Sequence, residues 1–282
     1  MSDLAASPKK INLPAAPGAL AKAMRNPLWL RVALLAGVVA LLEIYGRLYA
    51  DPAFMSPPSL IVKAFFDKIA PQPRILEALW YCVAQIAAAY ALSVVFGILI
   101  GLLIGASGFS RSAFLPIILL LYAIPQVSLL PLVILTFGLG PAAKIAFGFS
   151  HGVFPIIMNV VAGMRDVKEL HLRAARSMGA SRMETIRHVT LPHAVPSLFT
   201  GLRLGMTLTL LGVILAELYV STGGIGYFTR VFAESYDPAP LFALTGCLAI
   251  IAVLFNELVR LAQNKLTPGK RRPPTLKNSV KE

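Results

Sequence analysis

Charge is what this chain has least of. Asp, Glu, Lys and Arg make up only 14% of its 282 residues, and acids are the scarcer half, 13 against 26 basic residues. A soluble domain carries about 25% charged residues, so a single core inside a water-facing shell is excluded and a bilayer becomes the natural solvent. Cysteine is nearly absent. Cys82 and Cys247 both fall in apolar segments, which argues against a disulfide framework and leaves the compartment open. The four histidines form no ligand set, because His188 and His193 flank Pro192, His151 lies in an apolar run and His171 stands by itself; no metal site is expected. A phosphate-cradling loop is also missing. The nearest approach, "GLGPAAKIA" from Gly138, has Ala143 where a glycine belongs and Ile145 where Ser or Thr would bind magnesium. Nor do a nucleophile, base and acid stand in any placed relation, so no catalytic residue is expected.

Long apolar runs fill the space. Hydrophobic residues make up 57% of the chain and mean hydropathy is +0.73. A spanning helix needs roughly 20 mostly apolar residues at about 1.5 Å rise each. Six segments qualify: 29–48, 83–106, 113–137, 142–164, 196–220 and 239–261. The expected fold class is therefore all-α, a polytopic membrane protein with six transmembrane helices. It comprises a tail at 1–28, a membrane domain at 29–265 and a basic tail at 266–282. The first span reads as retained rather than cleaved, since Glu43 interrupts it and no small-residue cleavage site follows. The third contains Pro116, Pro125 and Pro131 and is expected to be kinked or broken, with its freed carbonyls against protein or water. Residues 61–69, between the first two spans, read as a short amphipathic helix on the outer surface.

The net charge of +13 could suggest nucleic acid as a partner, but the basic residues gather at the ends of apolar runs, as in membrane proteins. With both termini cytoplasmic, eighteen Lys and Arg fall inside and six outside, namely Arg47, Lys63, Lys68, Arg74, Lys144 and Arg230. That asymmetry sets the expected orientation and makes 165–192 a cytoplasmic loop.

The loop has an internal order. Asp166 with Glu169, and Ser181 with Glu184, each fit a capping box. They predict helices over 167–178 and 182–189, with Gly179 as a left-handed cap and Pro192 as the stop. Leu170, Ala174 and Met178 recur at i, i+4 and i+8, an apolar stripe. Ala174 and Ala175 leave little bulk, and Glu169 is placed to pair with Arg173.

Polar residues inside the spans are few. Glu217 is the sharpest candidate, since an intramembrane acid marks a functional site by default. Its place 21 residues after Pro196 puts it near the outer boundary, where water is expected to reach it. Both a gate-stabilising and a substrate-binding role fit. Gln126 and Ser128 flank Pro125 and are candidates for lining a path. Gly97, Gly101 and Gly105 recur every four positions, which permits close helix approach within the chain or against a second copy.

The sequence Arg173-Ala174-Ala175, Gly179-Ala180, Val189 and Leu191-Pro192 resembles the cytoplasmic loop of binding-protein-dependent ABC importer permeases, in which E-A-A precedes a glycine, an isoleucine and L-P at the same spacing. "PSLFTGLRLG", "AELYVSTGGIGY" and "YAIPQVSLLPLVILTFGLG" are similar to the nitrate/sulfonate/taurine branch. Arg173 and Val189 depart from the family's glutamate and isoleucine. The resemblance implies the type I permease fold of ABC importers and a place in the cell inner membrane. It also implies that Leu170, Arg173, Ala174, Ala175, Met178, Gly179, Ala180, Leu191 and Pro192 belong to an ATPase-coupling loop. Its implied partners are a cytoplasmic ATPase dimer carrying ATP and Mg, a periplasmic or lipid-anchored solute-binding protein, and a second copy of the chain. No cofactor is implied in the chain itself. A stand-alone secondary transporter or channel would instead show paired intramembrane charges and internal repeats, and a membrane enzyme would cluster acids, His or Cys at one face.

Overall fold

The computed structural model describes residues 27–220 and 223–266. The tails expected at 1–28 and 266–282 lie, but for their innermost residues, outside the described residues, and so do the termini. Every regular element among the described residues is helical. Five helices are long and apolar enough to span, and a sixth span results if the bent pair Gly108–Ala123 and Gln126–Phe137 is counted as one.

The first span, α1 (Pro27–Leu48), is almost wholly exposed along its apolar length, as a helix facing lipid can be. Its far end holds the short helix α2 (Pro58–Ala64). Glu43 accepts hydrogen bonds from Arg47 Nε (2.5 Å), Ser59 Oγ (2.6 Å) and Ser59 N (2.9 Å). A π-helical turn, Phe65–Ile69, continues α2 and leads to α3 (Pro73–Gly105).

The third span breaks for a local reason. Ile124 precedes Pro125, whose ring disfavours the helical region for the residue before it, and Ile124 is extended at ψ 129°. Helix α4 (Gly108–Ala123) ends there. One 3-10 turn, Gln126–Leu129, leads into α5 (Leu130–Phe137), bent 80° from α4. Ser128 Oγ donates to the Pro125 carbonyl at 2.6 Å, satisfying part of the backbone that the break frees.

The core is α6 (Pro141–Arg165) held between α3 and the long helix that follows the loop. In lipid no hydrophobic gain drives helices together, so close van der Waals packing must. The glycines of α3 supply it: a Cβ at Gly101 would lie 2.7 Å from Val160 Cβ, and Gly97 and Gly105 press equally on Ile156 and Met164. These glycines therefore serve a seam within the chain. On the other face of α6, Gly152 would carry its Cβ 1.9 Å from Thr209 Oγ1, so backbone meets side chain there without intervening bulk.

The loop differs in two respects from its sequence pattern. Asp166 caps the end of α6, its N–H donating to Ala162 O at 3.0 Å, so it cannot open the next helix. Helix α7 (Glu169–Ser177) instead begins after Lys168 with no side-chain cap. Nor does Pro192 stop anything. Helix α8 (Arg182–Thr185), a π-helical turn (Ile186–Thr190) and α9 (Leu191–Val220) follow without interruption, and residues Arg182–Tyr219 form one 38-residue helix. Proline lacks the N–H for the His188 carbonyl and its ring would crowd that oxygen; the widened turn just before it gives the room. Two further helices, α10 (Ile225–Glu234) and α11 (Pro238–Leu266), close the far end and provide the last span.

Candidate functional site: an exposed loop and a buried clasp

The loop is a rigid projection. Gly179 has φ +80°, the left-handed region that glycine enters without strain. Around it Ala180 N donates to Ala175 O (3.1 Å) and Gly179 N to Arg176 O (2.9 Å), both bonds of a Schellman cap. One residue further, Ser181 and Glu184 form a complete capping box: Glu184 N donates to Ser181 Oγ (3.3 Å) and Ser181 N to Glu184 Oε2 (2.7 Å). Two reciprocal devices thus fix the angle between α7 and α8.

What this elbow presents is apolar. Leu170 is 72% exposed and Met178 80%, with Ala174 exposed between them on the helix, while Ala175 is buried against the body of the protein. Arg173 Nε reaches Glu169 at 3.2 Å, and both side chains are exposed. Gly179 is exposed, Ala180 half-buried, and Leu191 and Pro192 open the long α9 with their side chains exposed. The nine loop residues therefore lie on one continuous stretch of chain, most of them accessible.

The three intramembrane candidates do not come together. Gln126 and Ser128 sit on the 3-10 turn of the broken span. Both amide atoms of Gln126 are enclosed without a hydrogen-bond partner, and Ser128 is spent on the Pro125 carbonyl. No hydrogen bond links either to Glu217 among the described residues.

Glu217 is fully buried, at 0% exposure, so the expected contact with water is not there. Its Oε1 faces Lys144 Nζ at 3.5 Å, and Lys144 itself is 7% exposed. Its Oε2 accepts the Gly226 N–H at 3.2 Å. Gly226 is the second residue of α10, where helix N–H groups have no partner of their own and a negative charge is favoured. Glu217 thus joins the far end of α9 to the start of α6 and the start of α10. Gly226 admits this because a Cβ there would lie 2.4 Å from the Glu217 carbonyl carbon. Sequence reasoning missed Lys144, treating it as one more outer charge. The signal was present: a lysine three residues inside an apolar helix needs an acid, and Glu217 was the acid without a partner.

Two of the four histidines bond to the carbonyl one turn back. His151 Nδ1 contacts Phe147 O at 2.9 Å and His188 Nδ1 contacts Glu184 O at 3.1 Å. No three His, Cys, Asp or Glu side chains among the described residues are grouped to hold a metal ion.

A helical bundle with five helices of spanning length, or six if the bent pair is one span, and a capped amphipathic loop between α6 and α9 is the architecture of a polytopic membrane protein. The chain belongs to the family of binding-protein-dependent transport system inner membrane components, whose model matches residues 93–272. It is 32% identical over 253 residues to the taurine transport system permease protein TauC of Escherichia coli (strain K12), covering 86% of this chain and 92% of that one. It is 27% identical over 235 residues to the formylaminopyrimidine transport permease protein ThiX of Halalkalibacterium halodurans, covering 82% and 91%. Its fold is similar to a solved structure described as inward facing conformations of the MetNI methionine ABC transporter. There the TM-score is 0.55 at 19% identity, covering 68% of this chain and 94% of that one. The chain is thus an inner-membrane permease of the ABC importer class.

Proposed function

We propose that the chain forms the membrane path of an ATP-driven importer, and that loop 165–192 transmits work to it from ATPase subunits on separate chains. The observation that carries this reading is the exposed stripe Leu170, Ala174 and Met178 on an elbow fixed by two caps. Water alone would not select an apolar stripe on so rigid a projection; a groove on a partner would. Arg173 sits beside the stripe in an exposed pair, a contact that contributes only about 0–1 kcal/mol, so the apolar residues and the elbow carry the docking.

In the assembled importer the ATPase dimer holds ATP and Mg on the cytoplasmic side, with a solute-binding protein delivering cargo at the opposite face. A second copy of the chain completes the path, and both termini of each copy are cytoplasmic. The broken third span supports a place on that path for Gln126 and Ser128, since α4 has no buried residue at all and its exposed Phe114, Ile117 and Leu121 offer an apolar surface to a second copy. Glu217 fits the clasp better than the path, because no solute reaches a carboxylate at 0% exposure. The cargo is a small solute, nitrate-, sulfonate- or taurine-like or another small organic molecule, in keeping with relatives named for taurine and formylaminopyrimidine.

The test uses the elbow. A Cβ at residue 179 meets nothing within 4 Å, so Gly179→Val acts only through backbone strain, about 1–2 kcal/mol for a left-handed residue. The variant should insert normally, yet co-purify several-fold less ATPase and lose solute-stimulated ATP hydrolysis. Arg173→Ala should stay close to wild type. If Gly179→Val couples hydrolysis to uptake at the wild-type rate, the loop is not the joint.

A further inference from the structure

Behind the loop lies a cavity of about 590 Å³, on the side of α7 that faces the membrane domain. Its walls come from the end of α3, the start of α4 and the loop helices. Three arginines line it: Arg111 from α4, Arg176 from α7 and Arg182 from α8. No acidic side chain does. The two glutamates of the loop are engaged elsewhere, Glu169 with Arg173 and Glu184 with the Ser181 N–H. Arg182 donates to the Ala106 carbonyl at 3.3 Å, while the guanidinium groups of Arg111 and Arg176 meet no carboxylate or other acceptor among the described residues.

The same cavity receives the N-terminus of α4. Ser107 caps this 16-residue helix, accepting Ser110 N at 2.9 Å, and Ser107 and Gly108 both line the cavity. Free N–H groups and a positive helix end therefore add to the three cations. Charges of one sign set around a concavity raise the local concentration of the opposite ion. Guanidinium forks match phosphate oxygens in geometry as well as charge.

We propose that this cavity is a phosphate-binding site, distinct from the docking stripe, that ties the loop to the membrane face when occupied. The phosphate comes either from the headgroup of an anionic lipid in the adjoining leaflet or from a soluble phosphate. Basic pockets between spanning helices at the cytoplasmic face are suited to the first. The leaflet follows from the orientation proposed above; the binding itself does not depend on it.

The purified full-length chain decides the matter in two arms. In mixed phosphatidylglycerol and phosphatidylcholine nanodiscs, native mass spectrometry counts the phosphatidylglycerol retained. In nanodiscs of phosphatidylcholine alone, thermal unfolding is followed with inorganic phosphate and with chloride at equal ionic strength. The expected result is selective binding in at least one arm, weakened about tenfold in Arg111→Gln/Arg176→Gln and largely kept in Arg111→Lys/Arg176→Lys. Retained phosphatidylglycerol identifies the lipid headgroup, and a phosphate-dependent rise in melting temperature identifies the soluble ion. Neither substituted side chain bonds within the fold, and Arg111→Gln alone serves as the check should the double variant unfold. No selectivity in either arm, or equal selectivity in the wild type and the glutamine variants, overturns the site.

Discussion

At the scale of single residues, the clasp has the largest energetic stake. Truncating one partner of a buried ion pair leaves the other charge without compensation, a loss of about 3–5 kcal/mol. Glu217→Ala should therefore lower the melting temperature of the purified permease sharply, and Lys144→Ala by a comparable amount. Lys144→Met/Glu217→Gln should recover much of the loss, because it removes both charges and keeps an acceptor for the Gly226 N–H. A double variant no more stable than Glu217→Ala would mean that the pair does not act as a unit. The acid was conspicuous in the sequence, but its role was not. Its burial depends on Gly226 bringing a second helix against the Glu217 backbone, and that approach joins segments whose pairing no periodicity records.

At the scale of elements, legibility followed the reach of the forces. Spanning helices are written in local apolar runs, and the break in the third span was readable because Pro125 acts on its immediate neighbour. The elbow was equally local, since Gly179 and the Ser181–Glu184 box lie within six residues. The two misreadings came from competition between neighbours. Asp166 could open one helix or close another, and α6 claimed it first. Pro192 has the chemistry of a stop, yet a π-helical turn upstream absorbed it. The α3–α6 seam gives a test at this scale. Gly101→Val drives new methyl groups into Val160, where even a Cβ would lie 2.7 Å away. Overpacking of this kind costs about 1–3 kcal/mol. Gly37→Ala on the lipid-facing α1, with nothing within 4 Å, should leave the melting temperature unchanged. Equal behaviour of the two variants in a detergent thermal-shift assay would remove the seam from the account.

At the scale of the whole molecule, the charge asymmetry predicts a topology. Reporter fusions at the two termini should both read cytoplasmic, and a periplasmic signal at either would change the parity of the spans. The chain also lacks the glycine-lysine-Ser/Thr loop that cradles a nucleotide with its magnesium, so the isolated permease should not hydrolyse ATP, measured by phosphate release after removal of partner subunits.

The uninterrupted helix from Arg182 to Tyr219 sets a mechanical ratio. It runs from the elbow to the clasp and lies against α6 from Ser197, beside Gly163, to Val213, beside Gly148, a crossing centred on Gly205. Taking that crossing as a fulcrum, the arm toward Arg182 spans 23 residues and the arm toward Glu217 spans 12, about 35 Å and about 18 Å at helical rise. A tilt about it moves the two ends in opposite directions, and the clasp travels about half as far as the elbow while receiving about twice the force. So proportioned a lever suits a generous stroke at one end and a short, firm opening at the other.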